Sequence, residues 1–466
     1  MTSVSRSSHI GFLPFTAVVI LAMASSCGSE PQPTNPAPAS SARLYEGAFF
    51  IAGDDREPIA DSAFLVDDGL VMAIGRRGEL GLPLGAARVD LTGKTVMPML
   101  VSYHGHVGYQ RGLSYEAENY TRANIIDHLN RYAYYGVGAI LSLGTDAGSV
   151  AFDIRADQAR GALGGARLLT AGRGLAAPDA GPGAEALRDS AYGVSTEEEA
   201  RESVRELAAL DVDVVKIWVD DRNGTVEKLR PELYRAIIDE AHGRDLQVIA
   251  HVYYAADAAG LVEAGVDSFA HLVRDREMTS QLVGTISSRN VFIMPNLGIS
   301  ERGTHFEPPT WLDDPLLLHS VAPDVIARAK ESFGRRTRDG VDRSRQSYAA
   351  MQRSVVRLVA AGVPLVLGAD SGVQDHFFGY TELRELELMV EAGLTPGQAI
   401  KAATIQPADL LRLDDVGLLT AGRRANFIVL NASPLDDISN IRSIDDVFMN
   451  GVQLDREAMR AEWTGR

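Results

Sequence analysis

The sequence of 466 residues contains a single cysteine, Cys27. One cysteine excludes an intrachain disulfide and a thiolate metal cluster, so a metal would have to be held by histidine, carboxylate or a less common ligand. The chain also lacks a run of Lys or Arg, and its formal net charge is -17. Without a basic footprint, nucleic acid is not an expected partner. The acidic residues are spread along the chain and read as a solvated surface. The apolar stretch near the start, residues 10–24, is interrupted by Gly11, Pro14 and Thr16. It falls short of the ~20 residues of a comfortable membrane span and lies, behind Arg6, where the apolar region of a signal peptide belongs. What the chain does have is apolar content: 45% of its residues are hydrophobic, enough for a sizeable core. At ~150 residues per domain it could hold two or three domains, although one α/β barrel takes up ~250 residues by itself.

Residues 1–27 read as a signal peptide. Ala24, Ser25 and Ser26 directly before Cys27 resemble a bacterial lipobox, with Ala24 where Leu is commoner. Cys27 would then be the lipidated first residue of the mature chain; the alternative is a plain secretory signal with an incidental cysteine. Residues 28–42, with Pro31, Pro33, Pro36 and Pro38, read as an extended tether. The expected location is exported, periplasmic or at the cell surface. Membrane contact would occur only through the lipid anchor, if Cys27 is acylated.

Residues 43–97 have a β texture, with a hairpin over 62–66 and 70–74 around Asp67, Asp68 and Gly69. Residues 413–466 share it, with strands over 425–430 and 446–454. Two β-rich flanks imply one small β-domain built from both chain ends. Between them, residues 98–412 alternate short apolar strands (138–143, 212–218, 247–251, 268–271, 290–294, 364–368) with helices (196–210, 231–244, 255–264, 347–361). This alternation predicts βα units on a parallel sheet. The expected fold class is α/β: a (β/α)8 TIM-type barrel with a small β-sandwich domain. Residues 298–345 interrupt the alternation and read as an insertion or a lid.

Sites in parallel α/β folds lie at the carboxyl ends of strands. An apolar stretch leads to His104 and His106, and residues two apart on an extended strand face the same way. The pair alone is a weak signal. Later strands add Lys216 within an apolar run, then His251, His271 and Asp370 at their exits. A lysine is almost never fully buried without a partner. One ligand-type residue after another at strand exits points to a metal centre.

In this order of residues the chain resembles the amidohydrolase superfamily over nearly its whole mature length. Segment 89–98, VDLTGKTVMP, resembles the approach to the family's first strand, and 417–430 resembles the return into its β-domain. Val215, Lys216, Ile217 and Trp218, with Ala250, His251, Val252 and Tyr253, are most similar to the imidazolonepropionase-like and prolidase-like branch. Two positions depart from the pattern: Met99 replaces a usual Gly and Tyr103 a usual Asp. The resemblance implies two divalent metal ions, zinc first, with manganese, iron or cobalt as alternatives. His104, His106 and Asp370 would hold one ion and His251 and His271 the other. Lys216 would bridge both as a carbamate made with CO2. A metal-bridging hydroxide would attack the substrate, with Asp370 as ligand and catalytic proton shuttle.

Around these, Tyr253, Tyr254, Arg274, Arg276 and His376 are candidate substrate contacts, and an Arg or Tyr there suits a carboxylate. Ordinary loop charges and packed aromatics are the alternative, and Asp220 and Asp221 are equally ambiguous. His128 and His242 read as surface or core residues. The expected activity is hydrolysis of an amide-type C–N bond in a small molecule, favouring a dipeptide or an N-acyl amino acid. A cyclic amide, imidazolone or lactone is the alternative substrate, and a non-catalytic binding lipoprotein the alternative class. Nothing in the sequence fixes the oligomeric state.

Overall fold

The hairpin read from alternating residues forms from Ser62–Asp67 and Leu70–Arg76. Asp68 (φ 48°) and Gly69 (φ 74°) make the two-residue turn, whose left-handed positions suit Asp-Gly. The computed structural model describes residues 41–373 and 375–465. The signal segment, Cys27 and the tether up to residue 40 lie outside the described residues.

The hairpin belongs to a sheet of four strands with Arg43–Glu46 and Ala87–Asp90. A second sheet contains Phe49–Phe50, Thr95–Pro98, Phe427–Leu430, Ile444–Met449 and Val452–Gln453. Here the two ends of the chain meet: Thr95–Pro98 pairs antiparallel with Phe427–Leu430, Val96 opposite Val429. Tyr45 stacks on Phe64 at 4.8 Å and Phe427 on Phe448 at 4.4 Å, and Tyr45 meets Phe427 edge-on. These buried rings form the core shared by strands from both ends.

The middle of the chain is α/β, with parallel strands. Leu100–Gly105 pairs with Val137–Ser142, which pairs with Arg167–Thr170. The amide of Asp213 then donates to Thr170 O at 2.9 Å, leading to Val215–Val219. Val248–Val252, Ser268–Ala270 and Phe292–Met294 follow, each parallel to its predecessor. Segment 364–371 bridges Phe292–Met294 at Ile293 and Leu365, and the first strand at Gly105 and Ser371. The expected strand at 364–368 is thus two isolated bridges and not a continuous ladder. The backbones approach closely there: a Cβ on Gly368 would lie 2.9 Å from that of His104.

Helices begin and end where capping chemistry allows. Glu197–Ala209 starts behind Thr196, whose side chain accepts from Glu199 N while Glu199 reaches back, a full capping box. Pro231–His242 has its Pro in the first turn, and Ala255–Ala264 ends at left-handed Gly265. Two sequence expectations shift. The helix expected from 347 starts at Arg338 behind the cap of Thr337 and runs to Ala360. Residues 298–345 are substantially helical, with Pro323–Glu331 and several 3-10 turns.

The first strand contains a feature that the simple two-residue period misses. From Ile140 to Ser142 its neighbour advances two residues while it advances three, from Ser102 to Gly105. That is a β-bulge, which re-aims the side chains beyond it. Val101, before the bulge, and Tyr103, within it, are buried among Leu141, Val214, Ile249 and Phe292. Ser102 points outward, to Glu382 on a covering helix.

Candidate metal centre

His104, within the bulge, and His106, just past it, converge on one carboxylate. Asp370 Oδ1 lies 3.3 Å from His104 Nε2 and 3.0 Å from His106 Nε2, and Oδ2 lies 3.6 Å from His271 Nε2. The strand exits therefore bring these four residues together, all buried. His104, His271 and Asp370 offer ligand atoms within 4.8 Å of one another. Two of the four have strained backbones: His271 at φ 79° and Asp370 at φ 55°. Non-glycine residues rarely adopt that region, and such strain gathers at functional sites.

The electrostatics suit a cation. Burial pushes His104 and His271 well below the usual imidazole range, so both are neutral. Burial opposes ionisation of Asp370, yet the hydrogen bond from His106 favours its ionised form and its carboxyl stays below the usual carboxylate range. Neutral imidazole and ionised carboxylate are the forms that bind metal. The far nitrogens are steered as well: His106 Nδ1 lies 3.0 Å from Thr145 Oγ1, and His104 Nδ1 3.4 Å from Asn296 Oδ1. Such outer partners orient ligating histidines. Among the described residues, His271 Nδ1 is buried without a partner. The donor set fits a divalent ion held by nitrogen and oxygen.

Lys216 is buried in Val215–Val219, and burial pushes its amine down to about 7. Its charge acts on Asp370, His104 and His251. Gly144 leaves room for its stem: a Cβ there would lie 2.6 Å from Lys216 Cγ.

His251 is differently engaged. Its ring packs 4.7 Å from that of His271, but Nε2 faces Asp220 Oδ2 at 3.2 Å and Arg274 Nη2 at 3.2 Å. Burial pushes His251 down to about 4. Arg274 lies over the ring of Tyr253 at 4.8 Å, and its Nε is buried with no partner among the described residues. The Tyr254 hydroxyl donates to Asp221 at 2.9 Å, and Lys228 covers that ring. Arg276 does not join the group; it is exposed and pairs with Asp275. His376 is buried beside Gly298, 3.7 Å from where a Cβ would sit, and the charge of Asp370 acts on its ring.

Of the remaining histidines, His128 is a satisfied core residue. Gly108 N donates to its Nδ1 at 2.9 Å, and its Nε2 lies 2.8 Å from Gln110 O, which pins the loop after the His104 pair. His242 lies near the surface with Asp267. The reading of the sequence missed Thr145 and Asn296, single polar residues with no local pattern. It also left Tyr103 unexplained. Its buried hydroxyl donates to Gln247 at 3.0 Å and its ring meets Phe292 edge-on, so it packs the floor below the bulge.

Known proteins resemble this chain in sequence and in fold. The chain is 26% identical to ochratoxinase of Aspergillus niger over 254 residues, which cover 52% of the chain and 45% of that protein, so the match spans less than half of the relative. A putative prolidase from Bifidobacterium longum superposes with a TM-score of 0.70 at 26% identity, over 91% of this chain and all of the other. A Xaa-Pro dipeptidase with bound methionine shares the fold at a TM-score of 0.70 and 22% identity, over 89% of this chain and all of the other. Residues 95–454 match the Amidohydrolase family, and the chain belongs to it.

Proposed function

We propose that this chain is a metal-dependent hydrolase of an amide-type C–N bond, acting on a dipeptide or an N-acyl amino acid. The observation that carries this reading is the convergence of three buried imidazoles on the Asp370 carboxylate at the ends of parallel strands. The ring of linked parallel segments supports a (β/α)8 barrel, with 43–97 and 413–466 as its β-domain and 98–412 as the catalytic part. The prolidase-like neighbours support that branch of the family.

His104, His106, His271 and Asp370 would hold a first ion, with Lys216, as a carbamate, and His251 contributing to a second. Zinc suits this donor set. When bound, such ions supply Lewis acidity that polarises a substrate carbonyl and acidifies water. The protein's own residues do the rest. The neutral Lys216 amine adds to CO2, forming an N–C bond and releasing one proton. Asp370, kept ionised, accepts a proton from the attacking water and passes it to the departing amine nitrogen. Burial of the cluster excludes bulk water and strengthens each electrostatic contact. Arg274 has an unused buried Nε–H, a donor for a substrate carboxylate, and Tyr253 supports its plane.

The test is a screen of metal-loaded protein against dipeptides, N-acyl amino acids and lactones. Cleavage of a carboxylate-bearing amide is expected, with Arg274→Ala raising KM on it. Fewer than about one bound metal per chain after refolding with zinc or manganese and bicarbonate would sink this reading. Export and lipidation of Cys27 are part of the proposal, resting on the apolar segment before it. Mass spectrometry of the mature N-terminus checks them: an unmodified residue other than Cys27 there rejects the anchor.

A further inference from the structure

Helix Tyr380–Glu391 buries three glutamates, Glu382, Glu385 and Glu387. A carboxyl out of water needs partners. Glu387 finds Arg384 and Arg442. Glu385 takes a different route. Its Oε1 accepts from Leu297 N at 2.6 Å and its Oε2 from Gly298 N at 2.8 Å. These amides open the short helix Leu297–Glu301, so Glu385 caps it from another element.

The residue just before those amides is Asn296, left-handed at φ 48°, ψ 51° and fully buried. That conformation has a cost for any residue with a Cβ, and the surroundings must enforce it. Glu385 fixes the chain on one side of Asn296. On the other, the Asn296 amide Nδ2 donates to Gly368 O at 2.8 Å. Held this way, Asn296 Oδ1 accepts from His271 N at 3.0 Å and lies 3.4 Å from His104 Nδ1. One amide oxygen thus touches two residues of the metal cluster. An acceptor at Nδ1 keeps the proton there and leaves Nε2 with its lone pair toward the ion.

We propose that Glu385 is a positioning residue that acts through Asn296 to aim His104 and His271, and so sets the affinity of the centre for a divalent cation. This rests on the metal-site reading above. Glutamine at 385 offers one acceptor oxygen where glutamate offers two, so one of the two amides loses its partner.

The experiment titrates the full chain with zinc against a chromophoric chelator, for wild type, Glu385→Gln, Asn296→Ala and the double variant. Each single variant is expected to bind zinc about 10–100-fold more weakly, with activity largely recovered at saturating zinc. The double variant is expected to match Asn296→Ala within about twofold, because both changes break one route. Wild-type affinity in Glu385→Gln, or single losses that multiply in the double variant, would overturn the proposal. Should Glu385→Gln fail to fold, Asn296→Ala decides alone, and wild-type affinity there overturns it. A wild type that binds no zinc rejects the metal-hydrolase reading itself; a wild type that binds beside unaffected variants rejects only this inference.

Discussion

Lys216 shows how much one residue's chemistry depends on its place. On a surface it would be a solvated cation, but inside an apolar strand its amine is pushed down to about 7. Lys216→Ala is therefore expected to lower activity at least ~100-fold and to reduce metal content, read by elemental analysis and turnover of the same sample. Full metal content with full activity would reject the carbamate. Lys216, His104, His106 and Asp370 were legible in the sequence because ligand-type residues rarely follow apolar strands without a purpose. Asn296 was not, since one Asn after Met294 and Pro295 looks like any loop residue and its role shows only in its contacts with Gly368, His271 and His104. The engagement of His251 with Asp220 and Arg274 was not legible either, because it depends on side-chain directions across separate loops.

Helix Tyr380–Glu391 is the element that hydropathy describes least well. Its glutamates read as a solvated face, whereas Glu382 and Glu385 are fully buried. Burial raises Glu382 to about 7, above the ordinary carboxylate value of 4.5. Between those limits the folded protein keeps a proton that the unfolded chain releases, so its contribution is present at low pH and is lost as pH rises. Glu382→Gln is expected to flatten the fall in urea midpoint of metal-free protein between about pH 5 and 7. An unchanged slope would mean that Glu382 is already ionised in the fold. The strand–helix alternation itself was legible from period and punctuation. The bulge at Tyr103 was not, because an extra residue leaves no trace in composition and appears only against the neighbouring strand.

For the molecule as a whole, the β-rich flanks are one structure made from sequence ends. Phe427 lies at their meeting point, fully buried between Tyr45, Phe64 and Phe448. Phe427→Ala is expected to destabilise the fold by about 3–5 kcal/mol, read by denaturant unfolding, with the metal affinity of the surviving folded fraction unchanged. Weakened zinc binding in that fraction would show that the two sheets also steer the centre. The pairing of Thr95–Pro98 with Phe427–Leu430 has a consequence in time. During synthesis the first of these strands emerges about 330 residues before its partner, which at ~5–20 residues per second is a wait of roughly 15–65 s. Through that interval an apolar strand edge stands open to any other extended chain. In the newborn protein that edge is the last to be covered, while the parallel segments between the two strands can already assemble.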